Sequence, residues 1–168
     1  MSDLFAIEGQ HVLVTGASSG FGRHFALFLV GRGARVTVAA RRAEAIDKTV
    51  QTIQADKGQG QGVVMDVTST GSIDVALAAA EQGFGPVDVL INNAGVASTK
   101  AALEQAEADW DKVIDTNLKG SGSVATPSAD GWPNLKREGQ SSTSPRFWAY
   151  ALQAPSRPTP SRRPGWCR

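Results

Sequence analysis

Thr15-Gly16-Ala17-Ser18-Ser19-Gly20-Phe21-Gly22 is the stretch that decides the fold. It follows an apolar run, His11-Val12-Leu13-Val14, and opens a second apolar stretch with helical spacing, Phe21, Phe25, Phe28 and Leu29. A strand thus delivers the chain to a tight turn, and a helix leaves it. Glycines in such a turn let the backbone approach a phosphate closely. The free N–H groups of the helix start then face the negative charge. Strand, glycine turn and helix together point to a dinucleotide, which a glycine-rich turn alone would not.

The same alternation continues outward. Strands are predicted over 11–15, 35–39, 62–65 and 87–91, and helices over about 20–32, 43–57, 70–82 and 103–119. The last helix carries Trp110, Val113, Ile114 and Leu118 as its apolar face. Strands alternating with helices imply an α/β fold with a parallel sheet and right-handed crossovers. Near-continuous apolar strands imply that both faces of that sheet are covered.

After Gly120 this periodicity stops. Residues 1–120 carry 10 basic and 14 acidic side chains, net −4, whereas residues 121–168 carry 7 and 2, net +5. Seven of the eight prolines and three of the four tryptophans lie in the later part, so the two segments read as different in kind. The expected organisation is one dinucleotide-binding domain over 1–120 and a basic Pro/Ser/Arg-rich tail over 121–168. By composition that tail reads as disordered. The one cysteine, Cys167, excludes a disulfide framework within the chain. No apolar run has the length of a membrane span, and Met1–Phe5 lacks a basic leader, so a cytoplasmic protein is expected. His11 and His24 stand apart without metal-ligand spacing, and no metal site is expected. Neither nucleic acid nor a membrane is implied as a partner of the domain.

The spacing Gly-x-x-x-Gly-x-Gly after Thr15, with Asn92-Asn93-Ala94-Gly95 after the fourth strand, resembles the classical short-chain dehydrogenase/reductase family over residues 7–120. The resemblance implies a Rossmann-like, doubly wound parallel sheet, incomplete here at about four strands. It implies that Gly16, Ser18, Ser19, Gly20, Phe21 and Gly22 surround the pyrophosphate. It also implies that Asp66 and Val67 lie at the adenine and that Asn93, Ala94 and Gly95 line the cofactor. Asp66 as a turn or helix cap, and the asparagines as ties between strands, are the structural alternatives. Asn117, in Thr116-Asn117-Leu118-Lys119-Gly120, matches the asparagine of the family's catalytic set, which holds a water in a proton relay. Ala40-Arg41-Arg42 ends the second strand with no carboxylate to hold a ribose 2′-hydroxyl. Two guanidiniums there suit a 2′-phosphate, so NADP is favoured over NAD. The substrate implied is a small carbonyl compound or secondary alcohol.

Three further family residues are absent. A tyrosine moves the proton, a lysine four positions later lowers that tyrosine's pKa, and a serine binds the reacting oxygen. Four positions after the one tyrosine, Tyr150, stands Ala154. The genetic code offers a reason. If each intended codon is the preceding codon's third base plus the first two bases of the present one, Trp148 must encode Leu and Ala149 must encode Gly. Residues 141–149 are then permitted to read Ile-Ile-Asn-Ile-Ala-Ser-Ile-Leu-Gly. Residues 159–165 are permitted to read Tyr-Ala-x-Ser-Lys-Ala-Gly, with serine and tyrosine 13 positions apart as the family requires. A slip between about Gly120 and Asp130 is the leading expectation. On this reading the chain as written lacks most catalytic residues, and the family's subunit-joining helices are lost. The alternative is a catalytically silent nucleotide-binding fragment with a basic interaction tail.

Overall fold

The computed structural model describes residues 6–130. Expectations about the rest, including Tyr150, Cys167 and the altered reading frame, lie outside the described residues. Four strands, β1 (His11–Thr15), β2 (Arg35–Ala40), β3 (Gly60–Val64) and β4 (Val89–Ile91), form one sheet in the order β3-β2-β1-β4. Every pairing is parallel, with His11 opposite Arg35 and Leu13 opposite Leu90. Helices α1 (Gly20–Val30), α2 (Ala43–Ala55) and α3 (Thr70–Phe84) follow the first three strands. After β4 come a short 3₁₀ turn at Ala102–Glu104, α4 (Glu107–Ile114), a π-helical turn at Asp115–Lys119 and α5 (Gly120–Asp130).

Strand side chains alternate between faces, and each face finds a cover. Val12, Val14, Val36 and Val38 pack with Ala26 of α1 and with Ile46 and Ile53 of α2. Leu13, Ala39, Val63 and Leu90 pack with Ile73, Ala76 and Leu77 of α3 and with Val124 of α5. The result is the doubly wound, Rossmann-like arrangement expected. Its direction reverses at β1, which has β2 on one side and β4 on the other.

Two helical faces differ from expectation. In α1 the buried residues are Gly22 and Ala26, while Phe21 and Phe28 are mostly exposed. The helix lies so close to the turn that a Cβ on Gly22 would meet Gly16 O at 2.5 Å, so small residues hold the contact face. After β4, Trp110 of α4 and Leu118 of the π-helical turn also point to solvent, and of the expected apolar face Val113 and Ile114 are half-buried.

The expected single helix over 103–119 is also broken up. It also continues beyond Gly120, as α5, to Asp130. This segment is poor in large apolar residues, but Val124 is fully buried, and Gly120 seats directly against Val67.

A buried polar network closes the opposite end of the sheet. Nδ1–H of His11 donates to Gly85 O at 2.7 Å, with Pro86 O at 3.2 Å. Gln61 Nε2 donates to Thr37 Oγ1 and to Ala80 O. The Thr37 hydroxyl lies 2.7 Å from His11 Nε2. Burial holds the His11 pKa below the ordinary histidine value. The Gly85 and Pro86 carbonyls and Asp88 oppose that shift, while Arg35 adds to it.

A histidine with a lowered folded pKa binds its proton more readily when unfolded. Stability is therefore complete above the ordinary value of about 6.5 and is lost as pH falls through it toward the folded value. Melting temperature is expected to drop between pH 7 and pH 5 by more in the wild type than in His11→Gln. Equal drops would remove His11 as the cause.

Candidate cofactor-binding site

The glycine turn sits at the carboxyl end of β1, where the strand order reverses. That is the place where open α/β sheets leave a crevice. Gly16 has φ +66 and Gly20 φ +56, left-handed values that favour glycine. A Cβ on Gly16 would meet Ala94 Cα at 2.8 Å, and one on Gly22 would meet Asn93 Nδ2 at 2.4 Å. These two glycines are therefore required for the turn to dock on the segment after β4. Gly20 differs, because a Cβ there would meet nothing within 4 Å.

Ser19 occupies the N-cap of α1 but accepts no hydrogen bond on its side chain, and the first turn of α1 carries no acidic residue. The leading N–H groups of α1 are thus uncapped by side chains, and the space a Cβ on Gly20 would take is open. That combination fits an anionic group, and a pyrophosphate in particular.

The segment after β4 is tied to this turn by one hydroxyl and one amide. Thr15 Oγ1 accepts from the N–H groups of Asn93 and Ala94, each at 3.0 Å. Asn93 Nδ2 donates to Thr15 O at 3.0 Å and Gly16 O at 3.3 Å. Asn92 Nδ2 donates to Ser121 O of α5. The asparagines therefore do tie neighbouring elements together. Thr15 and Asn92, which belong to the motifs but carry no cofactor role in the sequence reading, are structural members of the site. The signal for Thr15 was a small hydroxyl ending an apolar strand immediately before the first glycine.

Asn117 lies on the π-helical turn and is held by both ends of its amide. Oδ1 accepts from Val96 N at 2.8 Å, and Nδ2 donates to Val96 O at 2.9 Å. A Cβ on Gly95 would meet Asn117 Oδ1 at 3.2 Å, so Gly95 and Asn117 are neighbours. The widened turn lets the amide reach back to the β4 segment, and such turns are frequent at functional sites.

The ends of β2 and β3 bring a third group together. Asp66 Oδ1 accepts from Thr68 N at 3.0 Å and Thr68 Oγ1 at 2.7 Å, a local turn that holds its carboxyl below the usual carboxylate range. The charge of Arg41 acts in the same direction. Arg41 and Arg42 are both exposed, Arg42 at the start of α2. Val67 is buried in the core against Gly120. Among the described residues no three His, Cys, Asp or Glu side chains converge as a metal site.

A family model for short chain dehydrogenase matches residues 10–139. The chain belongs to the short-chain dehydrogenase family. Its sheet is the family's Rossmann-like, NAD(P)-binding type. Gluconate 5-dehydrogenase of Gluconobacter oxydans is 38% identical over 116 residues, covering 69% of this chain and 45% of that protein. The 3-oxoacyl-[acyl-carrier-protein] reductase FabG of Thermotoga maritima is 35% identical, with 68% and 46% covered. A variant of actinorhodin polyketide ketoreductase solved with NADPH superposes with a TM-score of 0.70 at 37% identity, covering 73% of this chain and 47% of that one. The chain spans about half the length of the curated relatives it matches. The family match runs past Gly120, as α5 does. Among the described residues no helix is long and apolar enough to cross a membrane.

Proposed function

We propose that this chain is the NADP-binding part of a short-chain dehydrogenase/reductase. The complete enzyme moves a hydride between the nicotinamide and a small carbonyl compound or secondary alcohol. The observation that carries this reading is the uncapped start of α1, open at Gly20 and built onto Asn93-Ala94 by Gly16 and Gly22. Gly16, Ser18, Ser19, Gly20, Phe21 and Gly22 bind the pyrophosphate, chiefly through backbone N–H groups. Asp66 and Val67 bound the adenine side, while Ala94 and Gly95 border the rest of the cofactor. Asn93 positions them, and Asn117 holds the water of a proton relay. The nicotinamide, when bound, supplies or accepts the hydride.

Arg41 and Arg42 are assigned to the 2′-phosphate, which makes NADP the preferred form. Charge-assisted hydrogen bonds contribute about 1.5–3 kcal/mol. The Arg41→Ala, Arg42→Ala double variant is therefore expected to weaken NADPH binding by roughly 10- to 100-fold and to leave NADH binding nearly unchanged. Equal loss for both cofactors in a calorimetric titration would return the two arginines to the role of solvated surface charges.

The 168-residue polypeptide itself is read as a binding module. It carries Asn117 but no serine, tyrosine or lysine in the catalytic pattern. The division into a family-like part and a non-family basic tail belongs to the same proposal, with the boundary beyond the expected Gly120 because the family match runs to residue 139, as does a cytoplasmic, non-membrane setting without nucleic acid. Sequencing the gene from the codon of Asn117 past that of Arg168 tests the reading-frame argument. A missed or added base between Gly120 and Asp130 supports it, and an unaltered sequence leaves a silent nucleotide-binding fragment with a basic tail as the reading.

A further inference from the structure

Almost every polar group of Asp66 is taken up by its own neighbours. Its backbone N–H donates to Ser72 Oγ at 2.9 Å, and its C=O accepts from Ser69 N at 3.1 Å. Ser69 in turn caps α3, so the turn is anchored on that helix. Oδ1 accepts twice from Thr68, from the backbone N–H at 3.0 Å and from the hydroxyl at 2.7 Å. Oδ2 alone has no hydrogen bond among the described residues, and Asp66 is only half-buried. The two Thr68 bonds hold the carboxyl below the usual carboxylate range, so near neutral pH it is ionised and can only accept. Arg41 is the obvious competitor for that oxygen, since its charge reaches Asp66. Yet among the described residues the ion pairs are Lys100 with Asp109 and Lys119 with Asp115, and Arg41 stays apart.

We propose that Thr68 is a positioning residue for recognition of the adenine. By occupying Oδ1 it keeps the Asp66 carboxylate off Arg41 and reserves Oδ2 for the exocyclic amine of the base. The amine supplies the donor that a lone carboxylate oxygen requires. Hypoxanthine carries an oxygen in its place, which would set acceptor against acceptor. Thr68 is exposed, so its hydroxyl is not needed to fill the core. A carboxylate already fixed through Oδ1 also loses little freedom when the base arrives. This inference rests on the reading that places Asp66 at the adenine.

The full chain is titrated calorimetrically with NADPH and with its hypoxanthine analogue, as wild type, Thr68→Val, Thr68→Ser and Asp66→Asn. A hydrogen bond to a charged group is at stake, so wild type and Thr68→Ser are expected to bind NADPH about tenfold more tightly than the analogue. Thr68→Val keeps the shape and loses the hydroxyl. Its preference is expected to collapse through weaker NADPH binding, with the analogue unaffected. Asp66→Asn presents an amide N–H instead of Oδ2, and its preference is expected to turn toward the analogue. If Asp66→Asn loses the preference while Thr68→Val retains it, the role of Thr68 is overturned and the reading of Asp66 stands. Equal weakening of both ligands in Thr68→Val also overturns it and leaves Thr68 a structural residue. A wild type that does not discriminate, or binds neither ligand, overturns the reading of Asp66 and this inference with it.

Discussion

Mixed with NADPH and a panel of ketones, the pure 168-residue polypeptide will consume NADPH no faster than the uncatalysed reaction. Hydride transfer to a carbonyl leaves an oxygen that needs a proton. The described site offers Asn117, an amide that cannot donate one at neutral pH. A positioned general acid contributes about 10²–10⁴ in rate, and a donor to the developing oxyanion about 10²–10³. Losing both leaves activity roughly 10⁴-fold or more below that of a complete enzyme. The protein read through Tyr-Ala-x-Ser-Lys-Ala-Gly will reduce at least one of the same ketones. Steady NADPH-dependent reduction by the 168-residue chain, abolished by Asn117→Ala, would contradict the account.

Gly20→Ala and Gly22→Val are expected to separate binding from folding. At Gly22 an added Cβ meets Asn93 Nδ2, Gly16 O and Ala17 Cα within 3 Å, two of them backbone atoms that cannot swing away. Overpacking of this kind costs about 1–3 kcal/mol, so Gly22→Val will lower the melting temperature as well as remove binding. At Gly20 the added methyl meets no protein atom, and the cost is the left-handed backbone alone, about 1–2 kcal/mol. That methyl projects into the space assigned to the pyrophosphate. Gly20→Ala will therefore stay folded by circular dichroism at 25 °C while losing at least tenfold in NADPH affinity. Unchanged affinity would mean that the open space at Gly20 is not where the phosphates lie.

Much of the fold was legible because the strands announce themselves. Val12–Val14 are apolar on both faces and Val36 and Val38 on one, and the glycine turn and Asn92–Gly95 fall where strands end. The helical faces were harder. Hydrophobicity favours Phe21 and Phe28 as the buried side of α1, yet close approach to the sheet demands small residues, and Gly22 and Ala26 take the contact. The helix after residue 103 could not be divided from its own pattern. The break is set by Asn117 reaching Val96, 21 positions away, and no local periodicity carries such a bond. α5 was hidden for the opposite reason. It is built mostly from Gly, Ser, Ala and Thr, with Pro127 inside it and one buried Val124, and its stability rests on the core it meets. Of the site, the glycines and Asn93 were legible as a motif. The tie from Thr15 to Asn93 and Ala94 and the Thr68 turn holding Asp66 belong to tertiary and loop geometry.

The most direct measurement is a calorimetric titration of the full chain with NADPH and, separately, with NADH. The account predicts one saturable site for NADPH, weaker binding of NADH, and loss of the NADPH signal in Gly20→Ala. A folded chain that takes up neither dinucleotide would contradict it.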